Sequence, residues 1–350
     1  MTGDMSEPDA NRGTEPGLDI WRRIAGPMPP TGRVSDSDPG LVAALADRVT
    51  AATVAAVLPG TDLPDETIRQ SRLLNRFRHA AGRQWYGAIA DAGLPVLAIK
   101  GLASGAWLYA APEDRGVSDA DLLVRREDLG TVIDLLEARG FAFASEPTRS
   151  RWGFVSEASF QPLLSPDGAV NIDLHVAGDA APFDTALPTE DMLEAAQVRD
   201  GLSIPSPTHA FMLSASHAAR DLFTADAAKT VIDGLLMMQR GDGIDWPEVA
   251  ARARKGRMLR PVAVFVALLG RLGADVPRAA GELPADRVGG RFFERIVRDH
   301  CNMFPPSGVP GTGERLVRQW LLAAAPSVAL QRDVRRIAGL IRPRSGLPDR

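Results

Sequence analysis

The first third of the chain alternates polar tracts with apolar positions at helical spacing. Residues 1–40 are rich in Pro, Gly, Asp and Ser, which predicts disorder apart from a short helix around Leu18–Ile24. One helix is predicted over Leu41–Leu58. Another is predicted from Pro64 to Ala92, with acids in its first turn. Gly93 is expected to end this helix, because a C-terminal glycine accepts the left-handed conformation.

From residue 94 onward, short apolar runs of strand length replace this pattern. Strands are predicted at Pro95–Ile99, Val117–Val124, Phe141–Phe143, Gly153–Leu164 and Ala169–Val176. Helices are predicted between them at Leu102–Ala110 and from Arg126 to Gly140, and Ser165-Pro166-Asp167-Gly168 predicts a hairpin turn. After Gly178 the strands are expected to end. Helices follow over Pro207–Asp221, Asp226–Gln239, Pro247–Lys255 and Arg260–Leu272.

The predicted fold class is therefore α+β, with a mixed β-sheet flanked by helices and followed by a helical domain. The predicted units are a disordered tail (1–40), a helical segment (41–93), the α+β core (94–178), a helical domain (179–278) and a helical extension (279–350).

Charge and cysteine content narrow the classes of protein. The 40 basic and 44 acidic residues give a formal net charge of -4, which provides no electrostatic reason to bind nucleic acid as a polyanion. A nucleotide needs only a local positive patch. The single cysteine, Cys301, excludes an intramolecular disulfide framework and fits a reducing cytoplasm. The N-terminus has no signal-peptide pattern and no apolar stretch is of membrane-spanning length, so we expect a cytoplasmic protein without membrane contact.

Three aspartates fall in two predicted strands. Asp119 and Asp121 are two residues apart, so both carboxylates face the same side of the sheet. In the later strand Asn171, Asp173 and His175 share a face. If the two strands are neighbours, three carboxylates converge. Such a group suits divalent cations and a nucleoside triphosphate, because Mg²⁺ prefers carboxylate and phosphate oxygens.

An Asp-x-Asp pair alone is a weak signal, because most such pairs are solvated surface residues. Here the acids lie beside Val117 and within the run Leu122-Leu123-Val124, which is typical of a buried strand. Burying unpartnered carboxylates is costly, and this favours a functional role.

Several motifs together resemble the uncharacterised bacterial nucleotidyltransferase family, which shares its core with DNA polymerase beta and kanamycin nucleotidyltransferase. The resemblance covers about residues 73–272. The residues that carry it are Leu97-Ala98-Ile99-Lys100-Gly101, Tyr109, Arg115, Ser118-Asp119-Ala120-Asp121-Leu122-Leu123-Val124, Gly140-Phe141, Ile172-Asp173-Leu174-His175, His209, His217, Val231-Ile232-Asp233 and Ile244-Asp245-Trp246.

The resemblance implies a nucleotidyltransferase core over 94–178 and a substrate or acceptor domain over 179–278. It implies that Asp119, Asp121 and Asp173 are the catalytic and metal-binding residues, with Mg²⁺ or Mn²⁺ as the cofactor. An acceptor group would attack the α-phosphate of an NTP and release pyrophosphate, and Asp173 would help to deprotonate the acceptor. Lys100, Gly101, Ser104, Arg115 and Ser118 are the expected nucleotide-binding residues.

One departure from the superfamily concerns the phosphate-binding turn. Much of the superfamily has Gly-Ser there, whereas this chain has Lys100-Gly101-Leu102. Lys100 would then supply charge, and Ser104 would reach the phosphate from the following helix. The alternative for Lys100 is a solvated residue at the end of a strand.

Three further residues keep two interpretations each. Arg115 either clamps phosphate or neutralises Asp119 in a structural ion pair. His175 either has a role in the site, by orienting Asp173 or by touching substrate, or is a partly buried, hydrogen-bonded histidine. Asp233, within an apolar helix, is either near the substrate or a buried polar contact.

The sequence also leaves alternatives for the whole protein. One is an antibiotic-type adenylyltransferase, which would differ only in its acceptor. The other is a catalytically degenerate nucleotide-binding or complex-forming protein, which the missing Gly-Ser hydroxyl favours and the three retained acids oppose. The acceptor itself, whether small molecule, peptide or protein, is not identified by any motif.

Overall fold

A computed structural model describes residues 16–26, 39–143, 158–168, 170–179, 183–241, 243–283, 290–302 and 312–323, with short pieces at 326–327, 329–330 and 333–334. Most of the segment predicted to be disordered, and part of the strand predicted from Gly153, lie outside these residues. The short helix expected around Leu18–Ile24 is present as α1, Pro16–Ala25.

The N-terminal half contains five of the described helices before the second strand. They are α1 (Pro16–Ala25), α2 (Pro39–Val49), α3 (Ala51–Val57), α4 (Asp65–Ala90) and α5 (Lys100–Trp107). The single helix predicted over Leu41–Leu58 is wrong, because the chain breaks at Thr50, which has φ 98°. The Thr50 hydroxyl accepts a hydrogen bond from the Thr53 amide and caps the new helix, and the two helices meet at 118°.

A five-stranded mixed sheet follows, as predicted. Its strands are β1 (Val96–Ala98), β2 (Asp119–Val124), β3 (Ala142–Phe143), β4 (Leu163–Leu164) and β5 (Asn171–His175), in the spatial order β1-β2-β5-β4-β3. Helix α6 (Leu129–Glu137) follows β2 and ends before Gly140, which has φ 87°. The predicted turn joins β4 and β5 as an antiparallel pair, and β5 lies parallel to β2.

The prediction that strands end after Gly178 is wrong. Two short antiparallel strands, β6 (Gln197–Arg199) and β7 (Leu202–Ile204), follow helix α7 (Thr189–Glu194). Asp200-Gly201 forms their turn with φ 47° and φ 76°, the left-handed pair that a two-residue hairpin requires.

The remaining described helices are α8 (Pro207–Arg220), α9 (Ala228–Arg240), α10 (Trp246–Lys255), α11 (Leu259–Arg271), α12 (Arg291–Cys301) and α13 (Thr312–Leu322). The apolar side chains form two large clusters. One packs α8, α9 and α11 with the N-terminal helices α1 to α3, and the other packs the sheet with α4, α5 and α6. The first cluster also contains Leu97 and Ile99, which places β1 between the two cores.

Within the described part of the chain, no single helix is both long and apolar enough to cross a membrane. Only the bent pair α2 and α3 reaches that length and composition when the two helices are taken together.

Candidate active site

The parallel pairing of β2 with β5 brings the predicted acids together. In the register of the two strands Asp121 is opposite Asp173, and Asp119 is opposite Asn171. Because side chains alternate along a strand, all of these polar groups lie on one face of the sheet, while Ala120, Leu122 and their neighbours enter the core on the other. The sequence prediction that the two strands are neighbours is confirmed.

Asp121 lies at the centre of this polar face, and its carboxylate contacts two nitrogen-containing side chains. Its Oδ1 accepts a hydrogen bond from Lys100 Nζ and lies 2.9 Å from His175 Nε2. Burial opposes ionisation of this carboxyl, but the Lys100 ammonium and the hydrogen bond with His175 outweigh it and hold its pKa well below the usual range. Asp121 is therefore a carboxylate throughout the physiological range.

The carboxyl of Asp173 differs from that of Asp121 both in its hydrogen bonds and in the direction of its pKa shift. Its Oδ1 is buried and has no hydrogen-bond partner among the described residues. Burial, together with the neighbouring charges of Asp121 and Asp119, raises the pKa of this carboxyl to about 6. A buried carboxylate oxygen without a donor indicates that the site accommodates a further cation or proton.

His175 completes a compact group of potential metal ligands. One ligand atom from each of Asp121, Asp173 and His175 can be chosen so that all three lie within 4.8 Å of one another. Burial lowers the pKa of His175, although its contact with Asp121 opposes the shift, so the imidazole is neutral at pH 7. Two carboxylates and a neutral imidazole form a donor set that fits a divalent cation.

Asp119 lies on the same face at the start of β2 and outside that compact group. It accepts hydrogen bonds from Ser118 Oγ at 2.8 Å and from Asn171 Nδ2 at 3.2 Å. Ser118 itself is exposed and lines the same cleft. The predicted role of Asp119 as a metal ligand and of Ser118 in nucleotide binding remains a prediction.

The turn between β1 and α5 places Lys100 and Gly101 at the edge of the acids. Lys100 has φ 52°, a left-handed conformation that is uncommon for a residue with a side chain. A Cβ on Gly101 would lie 2.6 Å from Val117 Cγ1, so packing alone already favours glycine at this position. Ile99 provides no side-chain cap, so the first amides of α5 are not satisfied by a capping side chain.

Three of the residues predicted to touch nucleotide or substrate hydrogen-bond to one another, and all three also line the cleft between the sheet and the helical region. The Arg115 guanidinium donates to both carboxylate oxygens of Asp233, with Nη2 to Oδ2 at 2.8 Å. Ser104 Oγ and the Tyr109 hydroxyl each donate to Asp233 at 2.9 Å. Arg115 therefore pairs with Asp233, and its alternative role of neutralising Asp119 in an ion pair is wrong. Asp233 is a buried polar contact, as one interpretation of the sequence predicted.

A cleft of about 350 Å³ separates the sheet from the helical region. Its sheet wall carries Asp119, Asp121 and Asp173, with Lys100 and Gly101 at one end. The opposite wall is formed mainly by α8 and α9, with the end of β7 beside them, and is called the helical wall below. The side chains on this wall include Ile204, Pro205, Leu213, His217, Arg220, Lys229, Thr230 and Met237.

Two cations lie on the helical wall, Arg220 and Lys229, and neither is among the residues predicted to bind nucleotide. Lys229 is half-buried and Arg220 is exposed at the end of α8, and neither side chain has a hydrogen bond or ion pair with any described residue. Burial lowers the pKa of Lys229, and the nearby Arg115 charge adds to this effect, whereas Asp119 opposes it. The Arg220 charge in turn acts on Asp173 and His175. No local sequence signal marks these residues, because only the docking of α8 and α9 on the sheet brings them to the acids.

His217 lies on the same wall and is linked to its neighbours on that wall. Its Nδ1 is 3.3 Å from Thr230 Oγ1 and 3.5 Å from Asp221 Oδ2. Burial, with the Arg220 and Lys100 charges nearby, lowers the pKa of His217 to about 3, so this imidazole is also neutral at pH 7.

Comparison with known proteins gives one match. The model of a family described as uncharacterised nucleotidyltransferase matches residues 38–273, which include the sheet, the cleft and both of its walls. No curated protein and no solved structure matches the chain. Because the matched region is well over half of the sequence, the chain belongs to the uncharacterised nucleotidyltransferase family.

Proposed function

We propose that the protein transfers a nucleotidyl group from an NTP to an acceptor hydroxyl and releases pyrophosphate. The observation that carries this proposal is the cleft itself, which has carboxylates on its sheet wall and, on its helical wall, two cations without a partner among the described residues. A triphosphate with bound divalent cations matches both walls, because the metal ions neutralise the acids and the phosphates neutralise Arg220 and Lys229.

Phosphate binding is assigned to three elements of the cleft. Lys229 and Arg220 supply charge from the helical wall. The uncapped amides at the start of α5, at Lys100 and Gly101, supply donors of the kind that bind phosphate at helix N-termini. Ser104 and Arg115 hydrogen-bond to Asp233, so in this proposal they support the cleft wall and the α5 amides take the place of the missing Gly-Ser hydroxyl.

The acids would hold the divalent cations and position the reacting groups. Asp121 and Asp173 lie on adjacent strands, and Asp119 lies at the mouth of the same face. When bound, the cations stabilise the charge that develops on the attacking and leaving oxygens. Mg²⁺ or Mn²⁺ fits the carboxylates. The Oδ1 of Asp173 has no hydrogen-bond partner among the described residues, so in this proposal it is available to take the acceptor proton.

The proposed reaction is a single displacement at the α-phosphorus of the NTP. The acceptor oxygen forms a bond to the α-phosphorus, the bond from that phosphorus to the pyrophosphate oxygen breaks, and the acceptor proton passes to Asp173. Catalysis would come from alignment and from charge neutralisation in a confined cleft. The acceptor enters from the helical region, where the wall includes the apolar side chains of Ile204, Leu213 and Met237.

The test is transfer of label from each α-³²P NTP in the presence of Mg²⁺ or Mn²⁺, with a metabolite and protein extract as the acceptor pool. We expect Asp121→Asn and Asp173→Asn to lower transfer by roughly 10³-fold, a loss of about 4 kcal/mol of transition-state stabilisation. Glu127→Gln is the matched control, because Glu127 is exposed just beyond the far end of β2. Transfer that survives in both aspartate variants would overturn the mechanism.

Nucleotide binding is tested separately from turnover. We expect Lys229→Met to weaken the binding of an NTP with its cation by about tenfold, which corresponds to about 1.4 kcal/mol. Lys255→Met is the control, since Lys255 is exposed on α10 and does not line the cleft. Wild-type protein that binds no NTP with either cation would exclude catalysis, whereas binding without transfer would favour a nucleotide-binding partner protein.

A further inference from the structure

His175 is placed as precisely as the acids but is not a conventional partner for Mg²⁺. It follows Asp173 by two residues on β5, so the two side chains share the polar face, and only 3% of its surface is exposed. Its Nε2 lies 2.9 Å from Asp121 Oδ1. Two ligands bound at ~2.1 Å at right angles around one small divalent ion are separated by about 3 Å, so this spacing also fits two ligands of one ion.

We propose that His175 Nε2 binds a divalent ion directly, together with Asp121 and Asp173, and that the site therefore takes a first-row transition-metal ion in preference to Mg²⁺. The proposal rests on the proposed function, because it names the class of cofactor at the same site. Its physical basis is the donor set. Imidazole nitrogen is a common ligand of transition-metal ions, whereas Mg²⁺ is a hard ion that takes oxygen ligands.

Lys100 provides a second observation that supports a cation position between these side chains. Its ammonium contacts Asp121 Oδ1 and lies 3.4 Å from His175 Nε2. In the metal-free chain Lys100 therefore places a positive charge beside two of the proposed ligand atoms. An ion bound to Asp121 and His175 would displace the ammonium, which would then be free to turn toward the phosphates. Removing the Lys100 charge is consequently expected to tighten metal binding.

The experiment uses the full chain with Mn²⁺ alone and no nucleotide, so that neither turnover nor a base nitrogen contributes to the signal. Mn²⁺ is the weakest binder of the first-row series, which makes it a stringent probe, and its unpaired electrons report nearby nitrogen nuclei. Electron spin-echo modulation is recorded on unlabelled protein and on protein carrying ¹⁵N only in histidine. We expect a ¹⁴N modulation that changes to the ¹⁵N pattern in the labelled sample.

Variants assign the nitrogen to one histidine. We expect His175→Gln to abolish the modulation and to weaken Mn²⁺ binding by roughly tenfold or more, since even the loss of outer-shell partners of a metal site has effects of this size. His217→Gln is the matched control, because His217 lines the opposite wall of the same cleft. We expect this variant to keep the signal. Lys100→Met should bind Mn²⁺ more tightly than wild type, and Mg²⁺ should displace Mn²⁺ more readily from His175→Gln than from wild type.

Several results would overturn the inference, and the isotope-labelled wild type decides it even if a variant fails to fold. They are the absence of bound Mn²⁺ at millimolar concentration, bound Mn²⁺ without histidine modulation, and modulation that disappears in His217→Gln but persists in His175→Gln. Label transfer by a protein without the histidine signal would leave the proposed function standing and remove this inference. The histidine signal without label transfer would support this inference and would count against the proposed function.

Discussion

Two buried acidic centres lie within the same cleft and are built in opposite ways. Asp233 on α9 receives hydrogen bonds from Arg115, Ser104 and Tyr109, so a full cation and two hydroxyls satisfy its carboxylate. At the sheet, one oxygen of Asp121 contacts both Lys100 and His175, and Asp173 has a buried oxygen without a hydrogen-bond partner among the described residues. A fully paired centre suits a structural role, whereas an incompletely paired one retains the capacity to bind and react.

The two centres also differ in where their partners lie along the sequence. Arg115 and Ser104 have the chemistry of phosphate ligands and lie beside the acidic strand in the sequence, yet both are directed to Asp233. Lys229 and Arg220 are far away in sequence, but they face the acids without a partner of their own among the described residues. The pairing in the fold therefore supports the proposed division into phosphate-binding and supporting residues, which proximity in the sequence does not indicate.

The largest expected effect removes the carboxylate of the paired centre. Asp233→Ala leaves the Arg115 guanidinium buried without its partner, and such changes cost about 3–5 kcal/mol of stability. Chemical unfolding followed by circular dichroism measures the loss. Asp226→Ala is the control, because Asp226 is exposed and its ion pair with Arg48 is worth at most about 1 kcal/mol. A loss below about 1 kcal/mol for Asp233→Ala would show that the centre is not structural.

A smaller effect is expected when the charge stays and one donor is removed. Tyr109→Phe deletes a buried hydroxyl that donates to a carboxylate, a hydrogen bond worth about 1.5–3 kcal/mol. The natural comparison is Tyr86→Phe, since the Tyr86 hydroxyl instead accepts from the backbone amide of Ser203 and should contribute about 0.5–1.5 kcal/mol. Equal losses of unfolding free energy in the two variants would argue against a special role for Asp233 as a charged acceptor.

The smallest expected effect has the opposite sign and concerns the unpaired centre. The pKa of Asp173 is about 6 in the folded chain, above its ordinary value of 3.8, so the ionised carboxylate opposes folding at neutral pH. Without metal, Asp173→Asn should raise the free energy of unfolding by roughly 1–2 kcal/mol at pH 7.5, after allowance for partial solvent screening. The gain should fade as the pH falls from about 6 toward the ordinary value of 3.8, because the carboxyl is protonated in the folded chain across this range and below it in the unfolded chain as well.

The measurement for this third prediction is urea unfolding in the presence of a chelator at several pH values. Asp121→Asn provides the contrast, because the pKa of Asp121 is held low by Lys100 and His175 and its carboxylate favours folding. Loss of stability in both variants would mean that Asp173 is as well paired as Asp121. That result would remove the distinction between the two carboxylates.

Strand alternation allowed much of the acidic face to be predicted from the sequence. The polar residues of β2 and β5 alternate with buried apolar ones, and a turn of well-known composition precedes β5, so both strands and their facing were determined locally. The same local reasoning could have found β6 and β7, because Asp200-Gly201 is a strong hairpin signal between short strands.

Other features depend on long-range packing and leave no local trace. The break at Thr50 interrupts a continuous run of helix-forming residues. Thr50 has a positive φ, and no glycine at this position indicates the break in the sequence. The Arg115–Asp233 pair joins residues 118 positions apart. The positions of Arg220 and Lys229 relative to the acids depend on how α8 and α9 dock. For such features the sequence supplies the residue types, and the tertiary structure determines their partners.

The bonding of Asp233 also bears on how substrates would enter and leave the cleft in the proposed reaction. Ser104, Tyr109 and Arg115 belong to the sheet side of the cleft and Asp233 to the helical side, so separating the two walls would expose a guanidinium and a carboxylate that are now paired. A hinge at this point would be thermodynamically expensive. We therefore expect a slot of nearly constant width. If the proposed reaction takes place there, substrates are selected as they diffuse in, and pyrophosphate is released without the opening of a domain.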